Sequence, residues 1–195
     1  GADVLVLNHY GGNMVNSLTN AVQFGLRDKI VNNKNFEIVV PLYSRLMAKG
    51  AGANVKGIFG STNWHWSLQD DGSKAFVKSF GTKYGFPPSQ AAHTVYCQTL
   101  LYADACNRAG TFNPCGVGEA LEGFEFDGLG NGKTLYRAED HQCFKDVLVV
   151  KGKENPTSEF DLLEIVEVTP AAQVTYAADH PMFSGGDLGA CNPGA

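Results

Sequence analysis

The residues best suited to chemistry open the chain. Asn8-His9-Tyr10-Gly11-Gly12-Asn13 follows the apolar run Val4-Leu5-Val6-Leu7. An imidazole, a phenol and two amides at the end of a strand suit either an acid–base cluster or the polar wall of a binding cleft. Acid–base catalysis needs a positioned partner group, and no familiar pattern supplies one. There is no Gly-x-Ser-x-Gly nucleophile elbow. The histidines, His9, His65, His93, His141 and His180, never pair at the i, i+4 spacing that turns two imidazoles toward zinc. His141 and Cys143 alternate along one strand or loop, which by itself does not define a metal site. Gly130-Asn131-Gly132-Lys133-Thr134 ends like a phosphate loop. The earlier glycine of that motif is replaced by Asp127, and strand-like sequence follows where a helix is required. A hairpin turn is the simpler reading. Glu139-Asp140 reads as solvated surface, and Asp70-Asp71 as helix capping and dipole compensation. No catalytic residue, metal ligand or cofactor is assigned.

The elements that would position these residues alternate. Residues 3–8 read as a buried strand. From about 13 to 24, Met14, Val15, Leu18, Ala21 and Val22 recur at helical spacing, and Gly25 is a stop signal. Phe36 to Val40 is a second apolar run ended by Pro41, and Val55 to Gly60 a third. Strands and helices in alternation predict a parallel α/β sheet. Ligands of such sheets bind beyond the carboxyl ends of the strands. Asn8, His9, Tyr10 and Asn13 sit at the first end, Leu42 and Tyr43 at the second, and Asn63, Trp64 and Trp66 at the third. Aromatics at three neighbouring ends make a ligand wall, or they pack over the sheet edge.

Farther on, Asp70 and Asp71 suit the start of a helix carrying Phe76, Val77, Phe80 and Tyr84. Phe86-Pro87-Pro88-Ser89 is a break with Ser89 as N-cap. A long helix from about 90 to 109 ends before Gly110, and a shorter one follows Pro114 to about Leu121. Strands are expected at Leu135–Arg137, Val147–Val150 and Leu163–Val168. From Pro170 the Gly-, Ala- and Pro-rich tail reads as extended.

Composition narrows the function classes. The chain has 195 residues, 44% of them hydrophobic, and a net charge of −5. Its Lys and Arg are scattered, which argues against nucleic acid as a partner, because such binders need a basic stripe. No apolar run approaches the ~20 residues of a membrane span. The opening at Gly1-Ala2-Asp3 is compatible with a processed or truncated start. Of the five cysteines, Cys106 and Cys115 flank a turn and are near enough in sequence to bridge in an oxidising compartment; buried free thiols are the equal alternative. An odd number leaves at least one thiol unpaired within the monomer.

The order of these features resembles the C-terminal part of a type I periplasmic solute-binding protein, the branched-chain amino-acid-binding family of ABC transporters. "GADVLVLNHYGGNMVNSLTNAVQFGL" is similar to that family's strand and helix, and "GIFGSTNWHW" to its lobe-crossing segment. "FVKSFGTKYGFPPSQAAHTVYCQTLLYADACNRAG" resembles its helices split by a proline pair. "ALEGFEFDGLGNGKTLYRAEDHQCFKDVLVVKGK" resembles its closing helix, hairpin and return strand. The resemblance implies an α/β parallel-sheet lobe of a two-lobed fold, plus helices belonging to the other, incomplete lobe. Residues 1–62 would form the second-lobe unit and 63–140 the crossing segment and first-lobe helices. Residues 141–170 would be return strands to the second lobe, and 171–195 a C-terminal tail. The apolar faces of the helices (Phe76, Phe80, Val95, Leu100) would then need the missing N-terminal half as partner.

Carried over residue by residue, the resemblance puts the family's wall aromatic on Tyr10 and its helix-start ligand contact near His93, with Tyr96 one turn on. The expected ligand-binding set is therefore Asn8, His9, Tyr10, Tyr43, Trp64, His93 and Tyr96. Amino-acid binders of the family place an acidic residue where this chain reads Pro41-Leu42-Tyr43. A buried ammonium without a counter-charge is costly, so the implied ligand is a small carboxylate-bearing solute, amino-acid-like or an aromatic acid. The implied role is the extracytoplasmic binding component of an ABC transporter, without chemistry. It would work with a membrane permease, in the periplasm or extracellular and membrane-associated. A ligand-sensing receptor or regulatory domain of the same fold is the alternative. An α/β hydrolase would need an acid–base set that the sequence does not offer.

Overall fold

The computed structural model describes residues 2–181 and Cys191. β1 (Val4–Val6) leads into α1 (Gly11–Gln23), then a hairpin of β2 (Ile30–Val31) and β3 (Lys34–Asn35). β4 (Glu37–Val40), α2 (Arg45–Ala51) and β5 (Phe59–Thr62) follow, then α3 (Asp71–Tyr84), α4 (Gln90–Ala109) and α5 (Pro114–Leu121). The chain continues through β6 (Glu125–Phe126), β7 (Thr134–Tyr136) and β8 (Cys143–Phe144). It returns by β9 (Val147–Gly152) and β10 (Leu163–Thr169) to a short α6 (Ala171–Val174).

The main sheet is five-stranded in the order β1-β4-β5-β9-β10. β1, β4 and β5 run parallel; β9 and β10 are added antiparallel. Strand alternation turns Ile38, Val40, Leu148 and Val150 to one face. There they meet Met14, Leu18 and Ala21 of α1, spaced at helical period, and Met47, Ala48 and Ala51 of α2. Ser44 caps α2 by accepting from the Met47 N–H at 3.1 Å. This is the parallel-centred α/β lobe that the alternation of elements predicts.

The other face of the sheet is open. Val4 and Val6 are 47% and 50% exposed. The buried strand expected at 3–8 is therefore an edge strand covered on one side only, since both α1 and α2 pack on the same face. The third strand is displaced as well. A turn of 3-10 helix occupies Gly52–Val55, and Gly57 takes a positive φ of 74°, so pairing begins at Phe59. The β2–β3 hairpin was not foreseen. Asn32 and Asn33, at φ 50° and 62°, form its two-residue turn.

Close packing of β4 on β5 rests on Gly60. A Cβ there would collide with the Val40 carbonyl and the Tyr43 ring. Gly60→Ala is expected to destabilise the fold by about 1–3 kcal/mol, as overpacking does; urea unfolding within error of wild type would refute this.

Helix boundaries follow local rules. Asp70 accepts from the Ser73 N–H at 2.8 Å and Ser89 from the Ala92 N–H at 3.2 Å. Gly85 and Gly110 end α3 and α4 at φ 76° and 64°. Phe76, expected to be uncovered, is buried against Trp64, Phe80, His93 and Tyr96. Val95 and Leu100 are exposed.

The disulfide joins Cys115 to Cys191, across 76 residues, and not to Cys106. Cys106 is a free thiol buried with Ala105 against Val117 of α5, as one of the two readings of its sequence had it. The beginning of the tail is tied down: the Ala171 N–H donates to Asp146 at 2.8 Å, and Arg137 to the Tyr176 carbonyl at 2.7 Å. The rest of the tail expected to be extended, 182–190 and 192–195, lies outside the described residues.

Candidate functional site

The sheet order sets the carboxyl ends of β1, β4 and β5 side by side. Tyr10 stands at the first end, 54% exposed, and Leu42 at the second, 62% exposed. Half-buried Asn63 follows at the third. Gly11, at φ 59°, turns the backbone from the strand end into α1. Asn8 and His9 are exposed beside Tyr10. His9 is held toward α1 by a 2.8 Å hydrogen bond between its Nδ1 and the Ser17 hydroxyl.

The other expected site residues lie elsewhere. Tyr43 follows Leu42 but turns the opposite way, into the core under β5, with its N–H donating to the Ser61 carbonyl at 2.8 Å. Trp64 and His93 are each 1% exposed and stack at 4.3 Å with ring planes 5° apart. Trp64 donates its indole N–H to Ser73 at 2.9 Å. His93 Nε2 lies 2.6 Å from the Leu129 carbonyl, which only accepts, so Nε2 carries the ring proton. Tyr96 is partly exposed and stacked on Phe76 at 4.6 Å. The structure thus brings Asn8, His9 and Tyr10 to one exposed edge, and holds Tyr43, Trp64 and His93 in packing roles.

A cavity of about 430 Å³ lies beneath α4, lined by Asn63, His93, Cys97, Cys143, Lys145 and Asp146 among others. Its chemistry is muted. Burial pushes the Cys97 and Cys143 thiols up and Lys145 down, which disfavours thiolate formation. Among the described residues no group of three or more His, Cys, Asp or Glu is arranged to hold a metal ion.

Beside the cavity Asn131 ties two backbone segments together. Its Nδ2 donates to the Asn63 carbonyl at 2.6 Å and to the Asp146 carbonyl at 2.8 Å. These are the segments by which the chain leaves β5 and re-enters β9. Sequence reasoning saw Asn131 only as part of a glycine-rich turn. That turn does connect β6 to its antiparallel partner β7.

Burial holds two imidazoles neutral. His93 and His65 are both pushed down from 6.5 to about 4. Burial is the main cause in each; Lys145 adds to it at His93, and Lys153 and Arg45 at His65. The unfolded chain regains the ordinary value and binds these protons first as pH falls. Their contribution to stability is complete above about pH 6.5 and is lost toward pH 4, with a slope of at most about 1.4 kcal/mol per pH unit for each histidine. Urea titrations across that range are expected to show the decline, and His93→Gln to flatten it. An equally steep decline in His93→Gln would remove His93 from this account.

In sheets of this kind ligands bind beyond the carboxyl ends of the strands, the end at which Tyr10 and Leu42 are exposed. Residues 1–157 match the family model for periplasmic binding proteins, and the chain belongs to that family. Similar solved structures include an amino acid ABC transporter substrate-binding protein from Pseudomonas fluorescens Pf-5. It is 23% identical with a TM-score of 0.72, over 86% of this chain and 44% of that one. A branched-chain amino acid ABC transporter ligand-binding protein from Burkholderia xenovorans LB400 is 24% identical, with a TM-score of 0.71 over 88% and 45%. An ABC transporter solute-binding protein from Rhodopseudomonas palustris BisB5, in complex with 3,4-dihydroxybenzoic acid, is 15% identical, with a TM-score of 0.70 over 87% and 45%. The chain thus spans less than half the length of these structures. No curated protein matches it.

Proposed function

We propose that this chain contributes one lobe, with helices of the other, to the extracytoplasmic solute-binding component of an ABC transporter. The solute is a small carboxylate-bearing molecule, amino-acid-like or an aromatic acid, held in an interlobe cleft and released to a membrane permease without chemical change. The observation that carries this reading is the exposed strand edge with Tyr10 and Leu42 on neighbouring parallel strands. Leu42 offers an apolar surface where a zwitterionic amino acid would need a carboxylate for its ammonium, which favours the aromatic acid. The Cys115–Cys191 disulfide supports an oxidising compartment. The open sheet face at Val4 and Val6 supports a covering lobe supplied by the remainder of the protein. Asn8, His9 and Tyr10 form the near wall of the cleft, with Tyr96 on the helical side. His93, Trp64 and Tyr43 are packing residues away from that wall.

Calorimetric titration of the intact protein with 4-hydroxybenzoate and with leucine tests this. Binding of the aromatic acid, weakened at least tenfold by Tyr10→Ala, is the expected result. Tight leucine binding with no response to 4-hydroxybenzoate would reject the ligand class.

A further inference from the structure

Two free thiols share one space. Cys97 on α4 and Cys143 on β8 both line the cavity of about 430 Å³ beneath α4. Their segments are tied together. Cys143 pairs with Tyr136 in the β7–β8 register, and directly opposed residues put their side chains on the same face of a sheet. The Tyr136 hydroxyl reaches α4 from that face, donating to the Gln98 amide oxygen at 2.7 Å. Gln98 is the residue after Cys97, and Cys97 in turn feels the charge of Cys143.

Cys97 gives up little by turning toward the cavity. Its S–H reaches the Leu129 carbonyl at 3.9 Å, and a thiol is a weak donor. His93 Nε2 lies 3.3 Å from the same sulfur, but its proton is on the Leu129 carbonyl at 2.6 Å. Cys143 is exposed and so open to a small oxidant. The other cysteines are accounted for: Cys115 is bonded to Cys191, and Cys106 is buried against Val117. The existing bridge suits an oxidising compartment, where thiols that can meet also meet disulfide oxidants.

We propose that Cys97 and Cys143 are a site of oxidative modification, forming a second disulfide when the folded protein meets a small-molecule disulfide such as oxidised glutathione. The Cys143 thiolate attacks one sulfur of the oxidant, which gives a mixed disulfide and releases one glutathione thiol. The Cys97 thiolate then attacks the Cys143 sulfur, displaces the second glutathione and closes the bond. The protein gives up two protons and two electrons, and the oxidant is reduced to two thiols. Burial holds both protein thiols up, and Lys145 pulls both part of the way back, so the exchange is slow. The bond ties α4 to β8 across the cavity and leaves Cys106 as the unpaired cysteine of the five.

Disulfide mapping of the intact protein tests this. The protein is incubated overnight with oxidised glutathione, its free thiols are blocked with N-ethylmaleimide, and it is digested and mapped by mass spectrometry without reduction. The expected map shows Cys97 linked to Cys143, Cys115 linked to Cys191 and Cys106 blocked, with the circular dichroism of the protein unchanged by oxidation. Cys143→Ser should leave Cys97 a free thiol, and Cys97→Ser should trap glutathione on Cys143. Cys97 and Cys143 both blocked in wild type overturns the proposal. So does a glutathione adduct that persists on wild-type Cys143, because Cys97 then fails to reach it. A link from either residue to Cys106, or a Cys97–Cys143 link that forms in urea alone, overturns it too. The wild-type map decides the matter if a variant does not fold.

Discussion

Cys115→Ser is expected to lower the unfolding free energy by about 4 kcal/mol. The bridge closes a loop with a sequence separation of 76 residues, and chain-entropy arguments assign loops of that size a stabilisation of about 4 kcal/mol. The bridge acts where other contacts are sparse. α5 is eight residues long, and Val117 is its buried residue. Opening the bridge returns two thiols and frees the tail from α5, so the cost falls on the unfolded-state ensemble and on local order around α5. Thermal and urea unfolding should show the same loss in wild type treated with dithiothreitol as in Cys115→Ser. Cys106→Ala should remain sensitive to dithiothreitol, because its thiol takes no part in the bridge. Equal stability with and without reductant would show that the bridge carries no stabilisation.

The second large effect is expected at Trp64. Its ring is buried face-on against His93 and edge-on against Phe76, with its N–H on Ser73. Trp64→Ala removes a side chain that joins the end of β5 to α3 and α4, and costs about 3–5 kcal/mol. Trp64→Phe keeps part of the packing and forfeits the Ser73 bond, so its loss should be smaller, about 1–3 kcal/mol. Denaturant unfolding measures both. A loss below about 1 kcal/mol for the alanine variant would mean that neither the stack nor the burial of the ring stabilises the fold.

Much of the fold was legible because local chemistry announces it. Asp70, Ser89 and Pro114 mark helix starts, and Gly85 and Gly110 mark ends, through bonds and dihedrals made within a few residues. Strands β7, β9 and β10 stood out as apolar runs between turns. The misplaced strand at Val55–Gly60 failed at Gly57, whose positive φ makes a turn in an otherwise strand-like stretch. Burial was harder. Whether Val4 and Val6 are covered depends on which face of the sheet the helices choose, and one strand does not carry that information. The same limit applies to the site. Tyr10 and Tyr43 both follow strands, yet one is exposed and the other buried, because the backbone alternates at the turn. Trp64 and His93 read as cleft residues by type. Packing of α3 and α4, set by residues tens of positions away, makes them core.

One consequence follows from the Asn131 amide. The chain leaves the sheet after Thr62 and re-enters at Val147, and Thr62 pairs with Leu148 in the sheet register. The two crossings therefore run side by side, and Asn131 holds a carbonyl of each. The Asn131 amide therefore ties the segment that leaves β5 to the segment that enters β9. Asn131 sits at φ 59°, a left-handed dihedral that asparagine tolerates better than most residues. A single side chain thus bridges two segments 83 positions apart in sequence, Asn63 and Asp146, next to the sheet edge they share.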